Sequence, residues 1–182
     1  MSGSLSAPSR TTVLVAALID ALAGRAEIES RIIELTDIGA DLAGALRRED
    51  LSPRVEDALV AIENADLIIA ASPVYRASFT GLFKHLFDFV GQYSLVGTPV
   101  LVAATGGGER HALILEHQLR PLFGFFQALT LPLGVYASDA GFDGYAIGDT
   151  ALRARIDQAA ARALPLVEQA ALQRVSEYVP SW

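Results

Sequence analysis

Apolar positions along the chain switch between two periods. From residue 9 to 23, Leu14, Leu18, Ala21 and Leu22 share one face of a 3.6-residue repeat, and Gly24 stands as a stop. That pattern predicts an amphipathic helix. The same stretch imitates a secretory leader, with Arg10 as the charged start and Ala21-Leu22-Ala23 as a small-residue cleavage site, but Asp20 interrupts its apolar run. The helix is the preferred reading. Residues 28–35 mix polar and apolar positions and read as a strand near a sheet edge. A helix is predicted over 55–65 and a continuous apolar strand over 67–71 (LIIAA). A helix over 78–90 follows, then a second apolar strand over 100–104 (VLVAA). A long helix over 111–129, a short strand over 134–137 and a helix over 150–175 complete the chain, the last with a kink or break expected at Pro165.

Strands without polar alternation are covered on both faces, which here means parallel strands between two layers of helices. The β-α order therefore predicts a doubly wound three-layer α/β fold, laid out as a single domain over 1–182 with a tail over about 176–182 that includes Trp182. No linker rich in Pro, Gly or Ser divides it. Such sheets bind ligands beyond the carboxyl ends of their strands.

Composition narrows the ligand. Lys and Arg number 14 against 21 Asp and Glu, a net charge of −7, so nucleic acid and anionic membranes are not expected as partners. No run approaches the ~18 apolar residues of a membrane span. Hydrophobic residues make up 52% and charged ones 19%, enough for a sizeable core. With no cysteine and three scattered histidines (His85, His111 and His117), thiol chemistry is excluded and no metal site is expected. A cytoplasmic protein with a small-molecule partner is the expectation.

Three segments carry candidate chemistry. Gly3-Ser4-Leu5-Ser6-Ala7-Pro8-Ser9-Arg10-Thr11 runs into the first helix. Its hydroxyls, free amides and guanidinium would suit a phosphate, and it can equally be a tail ending in a Ser9 N-cap. Ser72-Pro73-Val74-Tyr75-Arg76 follows the LIIAA strand. Pro73 stiffens it and Tyr75 offers a flat apolar face to a planar ring; an ordinary strand-to-helix turn is the alternative. Thr105-Gly106-Gly107-Gly108-Glu109-Arg110-His111 follows the VLVAA strand, and its glycines let backbone approach a ligand closely. Arg10, Arg76 and Arg110 fall in these segments, which suits a nucleotide-like ligand with phosphates and a planar ring.

GSLSAPSRT, SPVYRASF and TGGGERHALILEHQLRPLFGFF together resemble the NADPH-dependent FMN reductases, particularly those that supply reduced flavin to alkanesulfonate monooxygenases. The resemblance runs from Ser2 to about Val167 and is most specific over 105–136. It implies a flavodoxin-like parallel sheet of order 2-1-3-4-5, with FMN and NADPH (or NADH) as cofactors and a flavin-dependent monooxygenase as a partner. The FMN phosphate would fall to Ser4, Ser9, Arg10 and Thr11. Pro73, Val74, Tyr75 and Arg76 would border the ribityl chain and ring, and Thr105, Gly106, Gly107, Gly108, Arg110 and His111 would lie along the ring's other side. The alternatives are a reductase that keeps its FMN and reduces a quinone, azo dye or metal oxyanion, and a flavodoxin-like electron carrier.

Two further expectations concern the frame. Pro121 lies inside the long helix and cannot donate to the carbonyl of His117, which predicts a kink or π-bulge there. The resemblance implies the same insertion, with His117 facing the flavin or a subunit interface. Leu122, Phe123, Phe125, Phe126, Leu129 and Leu131 exceed one core-facing stripe, and a homodimer or homotetramer is expected. The family has a strand ahead of the Gly-Ser loop, and the loop here begins at Ser2. The central strand is therefore expected to be missing, with a polypeptide start further upstream.

Overall fold

The computed structural model describes residues 1–173; the expected tail lies outside them. Helix α1 (Arg10–Ala23) begins on Ser9, whose side chain accepts a hydrogen bond from the Thr12 N–H, and buries Leu14, Val15, Leu18 and Leu22. Helix α2 (Leu35–Leu42) and helix α3 (Pro53–Glu63) follow, the latter with a Ser52 cap and a proline in its first turn, where no N–H is needed. Strand β1 (Ile68–Pro73) leads to helix α4 (Gly81–Asp88), capped by Thr80, and strand β2 (Pro99–Gly106) follows. A π-helix over Leu115–Leu119 runs into helix α5 (Arg120–Phe125). The short strands β3 (Leu129–Thr130) and β4 (Val135–Ser138), the hairpin β5 (Phe142–Asp143) with β6 (Ala146–Ile147), and helix α6 (Thr150–Gln173) complete the order.

The sheet is parallel: β1 pairs with β2, and β2 pairs with both β3 and β4. On the open side of β1, Ser2 bridges Ala71 and Glu34, both in parallel. Alternate residues of the central strands serve opposite cores. Ile68, Ala70, Val100 and Val102 pack with α2 to α5, whereas Ile69, Ala71, Leu101 and Ala103 pack with α1 and α6. Both faces are thereby sealed by helices, the three-layer α/β arrangement that the uninterrupted LIIAA and VLVAA runs predict.

Four expectations need correction. Residues 28–35 do not form a strand; only Glu34 is bridged, and α2 begins at Leu35. A strand exists only where a neighbour supplies ladder bonds, and among the described residues that neighbour is Ser2 alone. The expected helix over 78–90 is confined to α4, because Thr80 caps it. The long helix over 111–129 is divided: a 3₁₀ turn over Glu109–His111, the π-helix, then α5, which stops where Gln127 takes a positive φ of 55°. Helix α6 continues through Pro165 without a break, since a proline removes one hydrogen bond and flanking turns hold the course. The bulge near His117 is present: the Arg120 N–H reaches the Leu115 carbonyl, five residues back.

Candidate binding site at the carboxyl edge of the sheet

Hydrogen bonds between distant residues draw the three predicted segments to one edge of the sheet. The Thr11 and Thr105 hydroxyls, both buried, lie 2.7 Å apart and tie the first segment to the third. The Val74 N–H donates to the Thr105 carbonyl at 2.8 Å, which ties the second to the third. The Thr80 hydroxyl donates to the Gly3 carbonyl at 2.8 Å, anchoring the first segment to the start of α4. Gly3 has no room for a side chain, because a Cβ there would stand 2.7 Å from the Phe83 ring.

In the first segment Ser4 and Ser9 are buried, and residues 5–8 are exposed. The Ser4 hydroxyl donates to the Ser6 carbonyl at 3.1 Å, a local bond that shapes the loop. Arg10 turns toward the hairpin. Its Nη1 pairs with Asp139 at 2.8 Å, its Nε donates to the Gly144 carbonyl at 3.1 Å, and its guanidinium lies 5.7 Å from the centre of the Phe142 ring. Asp139 and Phe142 carry no motif, and their place beside Arg10 was not legible in the sequence.

The second segment is a tight turn. Tyr75 and Ser78 exchange backbone hydrogen bonds of 2.8 and 3.0 Å, and Arg76 and Ala77 both take positive φ, 50° and 69°. Left-handed conformations at two successive side-chain-bearing residues are strained, and such strain gathers at functional sites. Tyr75 is exposed, Pro73 and Val74 are half-buried, and the Ser78 hydroxyl donates to Gln118 at 3.0 Å, fastening the turn to the π-helix.

The third segment exposes its backbone. Nothing lies within 4 Å of where a Cβ on Gly108 would be, and only Asp139 approaches that of Gly107, at 4.0 Å. Gly106 differs: its Cβ would meet the Tyr136 Oη at 2.5 Å. That hydroxyl donates to the Gly108 carbonyl at 2.6 Å, so β4 supports the glycine loop from below. Burial pushes the Tyr136 hydroxyl above its ordinary pKa, with Glu109 and Asp139 adding to the rise. Tyr136 carries no motif of its own, and its contact with the glycine loop is set by the pairing of β4 with β2.

A cleft of about 210 Å³ opens between the second turn and the π-helix, lined by Val74, Ala77, Arg110, His111, His117 and Gln118 among others. Arg76, Arg110 and His117 are exposed, and among the described residues neither arginine forms an ion pair. No group of three or more metal-ligating side chains occurs among the described residues. The described helices include none long and apolar enough to cross a membrane.

The edge fits a phosphorylated ring ligand. Buried hydroxyls meet the start of a 14-residue helix, and open backbone faces the strained turn. A family model for NADPH-dependent FMN reductases matches residues 1–143. The chain is similar to the NADH-dependent FMN reductase SfnF of Pseudomonas fluorescens, 57% identical over 166 residues, covering 91% of this chain and 89% of that protein. Among solved structures it is similar to an oxidoreductase from Corynebacterium diphtheriae, with 34% identity and a TM-score of 0.79 over 91% and 93% of the two chains. At 17% identity, the WrbA-like flavodoxin of Agrobacterium tumefaciens shares the fold, with a TM-score of 0.65 over 90% and 93%.

Proposed function

The chain belongs to the NADPH-dependent FMN reductase family, and from that premise we propose that it transfers a hydride from a reduced nicotinamide nucleotide to FMN and releases reduced flavin to a flavin-dependent monooxygenase. The observation that carries this reading is the convergence of three loops on the carboxyl edge of a parallel sheet, held by the Thr11–Thr105 and Val74–Thr105 hydrogen bonds. Bound FMN supplies the electron-accepting ring, so the protein's task is binding and orientation.

Ser4, Ser9 and Thr11, with the amides opening α1, would hold the phosphate, where the helix dipole favours an anion. Arg10 would share its guanidinium between Asp139 and the phosphate. Pro73, Val74, Tyr75 and Arg76 would border the ring on one side, and Thr105 with the backbone of Gly106, Gly107 and Gly108 on the other. His111 and His117 sit at the mouth of the neighbouring cleft, where a nicotinamide would enter. Arg76 and Arg110, exposed and unpaired among the described residues, are the candidates for the 2′-phosphate that separates NADPH from NADH.

Leu113 and Phe125 are 61% and 63% exposed beside the π-helix, and Leu129 is 41% exposed. These exposed apolar side chains support a homodimer or homotetramer. The acidic, cysteine-free composition supports the cytoplasm. The test is nicotinamide oxidation by the purified chain with and without added FMN. Turnover that requires free FMN is expected; FMN that stays bound and reduces quinones, or an absence of nicotinamide oxidation, overturns the reading.

A further inference from the structure

Arg10 opens α1 next to Ser9 and Thr11, yet the hairpin after β4 already holds its guanidinium. Asp139 Oδ1 takes Nη1 at 2.8 Å, the Gly144 carbonyl takes Nε at 3.1 Å, and the centre of the Phe142 ring lies 5.7 Å away. The other carboxylate oxygen, Asp139 Oδ2, lies 4.0 Å from where a Cβ on Gly107 would stand. One negative charge therefore sits between the first segment and the glycine loop, on the edge read above as the flavin site.

The charges around it sharpen the picture. Residues 139–149 bring Asp139, Asp143 and Asp149 and no Lys or Arg. Asp149 is committed to the start of α6, where it accepts from the Ala151 and Leu152 N–H groups at 3.2 and 3.0 Å. Asp139 instead faces the cation at the start of α1. A guanidinium has five N–H groups and the two hydrogen-bonded contacts use two, so donors remain for a second anion while the net charge of the pair is zero. A phosphate monoester carries a charge of about −1.5 to −2 at neutral pH. Asp139 and such a phosphate would draw on one cation and repel each other. The side chains of Arg10 and Asp139 are 36% and 59% exposed, so the pair itself adds little to the stability of the fold.

We propose that Asp139 sets the affinity for the flavin: by sharing the Arg10 guanidinium with the phosphate of FMN, it keeps the ligand oriented but exchangeable. This rests on the reading that FMN binds at this edge. A flavin that departs after each hydride transfer needs a phosphate site weak enough to release it, since product release limits many enzymes. At a separation of about 5 Å in water, a unit charge changes the affinity for a phosphate of this charge roughly tenfold.

The test is fluorescence titration of the full chain and of Asp139→Asn, Asp139→Ser and Asp139→Glu with FMN and with riboflavin, which lacks the phosphate. Asp139→Asn and Asp139→Ser are expected to bind FMN roughly tenfold more tightly, with riboflavin unchanged. Asp139→Glu keeps the charge and is expected to bind FMN as the unaltered chain does. Weaker or unchanged FMN binding in both uncharged variants overturns the proposal and leaves Asp139 a structural partner of Arg10. Equal tightening of riboflavin overturns it as well, because the effect would not run through the phosphate. Nicotinamide oxidation with added FMN is measured on the unaltered chain alongside. Its absence defeats the functional reading and this inference together, whereas normal turnover with unaltered FMN affinity in the variants defeats this inference alone.

Discussion

Substituting Gly106→Ala places a methyl group 2.5 Å from the Tyr136 hydroxyl and 3.4 Å from the ring carbon that carries it. The oxygen must move, yet it holds the Gly108 carbonyl at 2.6 Å. Displacement of a packed side chain costs about 1–3 kcal/mol, of which the hydrogen bond accounts for ~1. Tyr136→Phe removes the offending oxygen and costs ~0.5–1.5 kcal/mol by itself. In that background the nearest ring atom lies at 3.4 Å, an ordinary contact, so Gly106→Ala should cost below ~0.5 kcal/mol. The two changes together are therefore expected to be less damaging than their sum by about 1–2 kcal/mol. Urea unfolding of the four proteins measures this coupling. A parallel FMN titration by flavin fluorescence should show binding weakened about tenfold by Gly106→Ala and largely restored in the double variant. Additivity within ~0.5 kcal/mol would refute the view that Tyr136 supports the glycine loop through this contact.

Thr11→Val deprives the buried Thr105 hydroxyl of its partner and should cost about 1–3 kcal/mol in urea unfolding, with FMN affinity falling in parallel; unchanged FMN affinity would separate this bond from the site. Ser9→Ala removes the α1 cap, costing ~1 kcal/mol, and should weaken FMN while leaving riboflavin, which lacks the phosphate, unaffected; equal losses for both ligands would remove Ser9 from phosphate binding. Burial of Glu63 would by itself raise its pKa, but hydrogen bonds from Arg48 at 2.7 Å and from the Gly91 N–H at 2.8 Å hold the carboxylate below its ordinary value of 4.5. Its stabilisation is present above pH 4.5 and lost as pH falls through the lowered value, so Glu63→Gln should flatten the acid limb of the unfolding curve.

Features that depend on short stretches were legible in the chain. Continuous apolar runs at LIIAA and VLVAA meant strands buried on both faces, and the loops after them meet at one edge of the sheet. Pro121 lacks an N–H, and that deficit pointed to a kink or π-bulge near His117, where the structure has a π-helix over Leu115–Leu119. The resemblance of three loop motifs to one family reached the family. What escaped was contact between residues far apart. Residues 28–33 have strand-like composition, but a strand is a relation between neighbours, and among the described residues only Ser2 bridges this segment, at Glu34. Arg10 carries the signature of a phosphate ligand, yet the hairpin after β4 folds back to give it Asp139. Tyr136 has no motif, and its hydroxyl meets the glycine loop only because β4 lies beside β2. Periodicity, missing donors and glycine runs act within a turn or two of the chain, so sequence decides which faces are buried and where a ladder breaks. Which distant groups then meet depends on the packing of layers, and only the tertiary structure decides that.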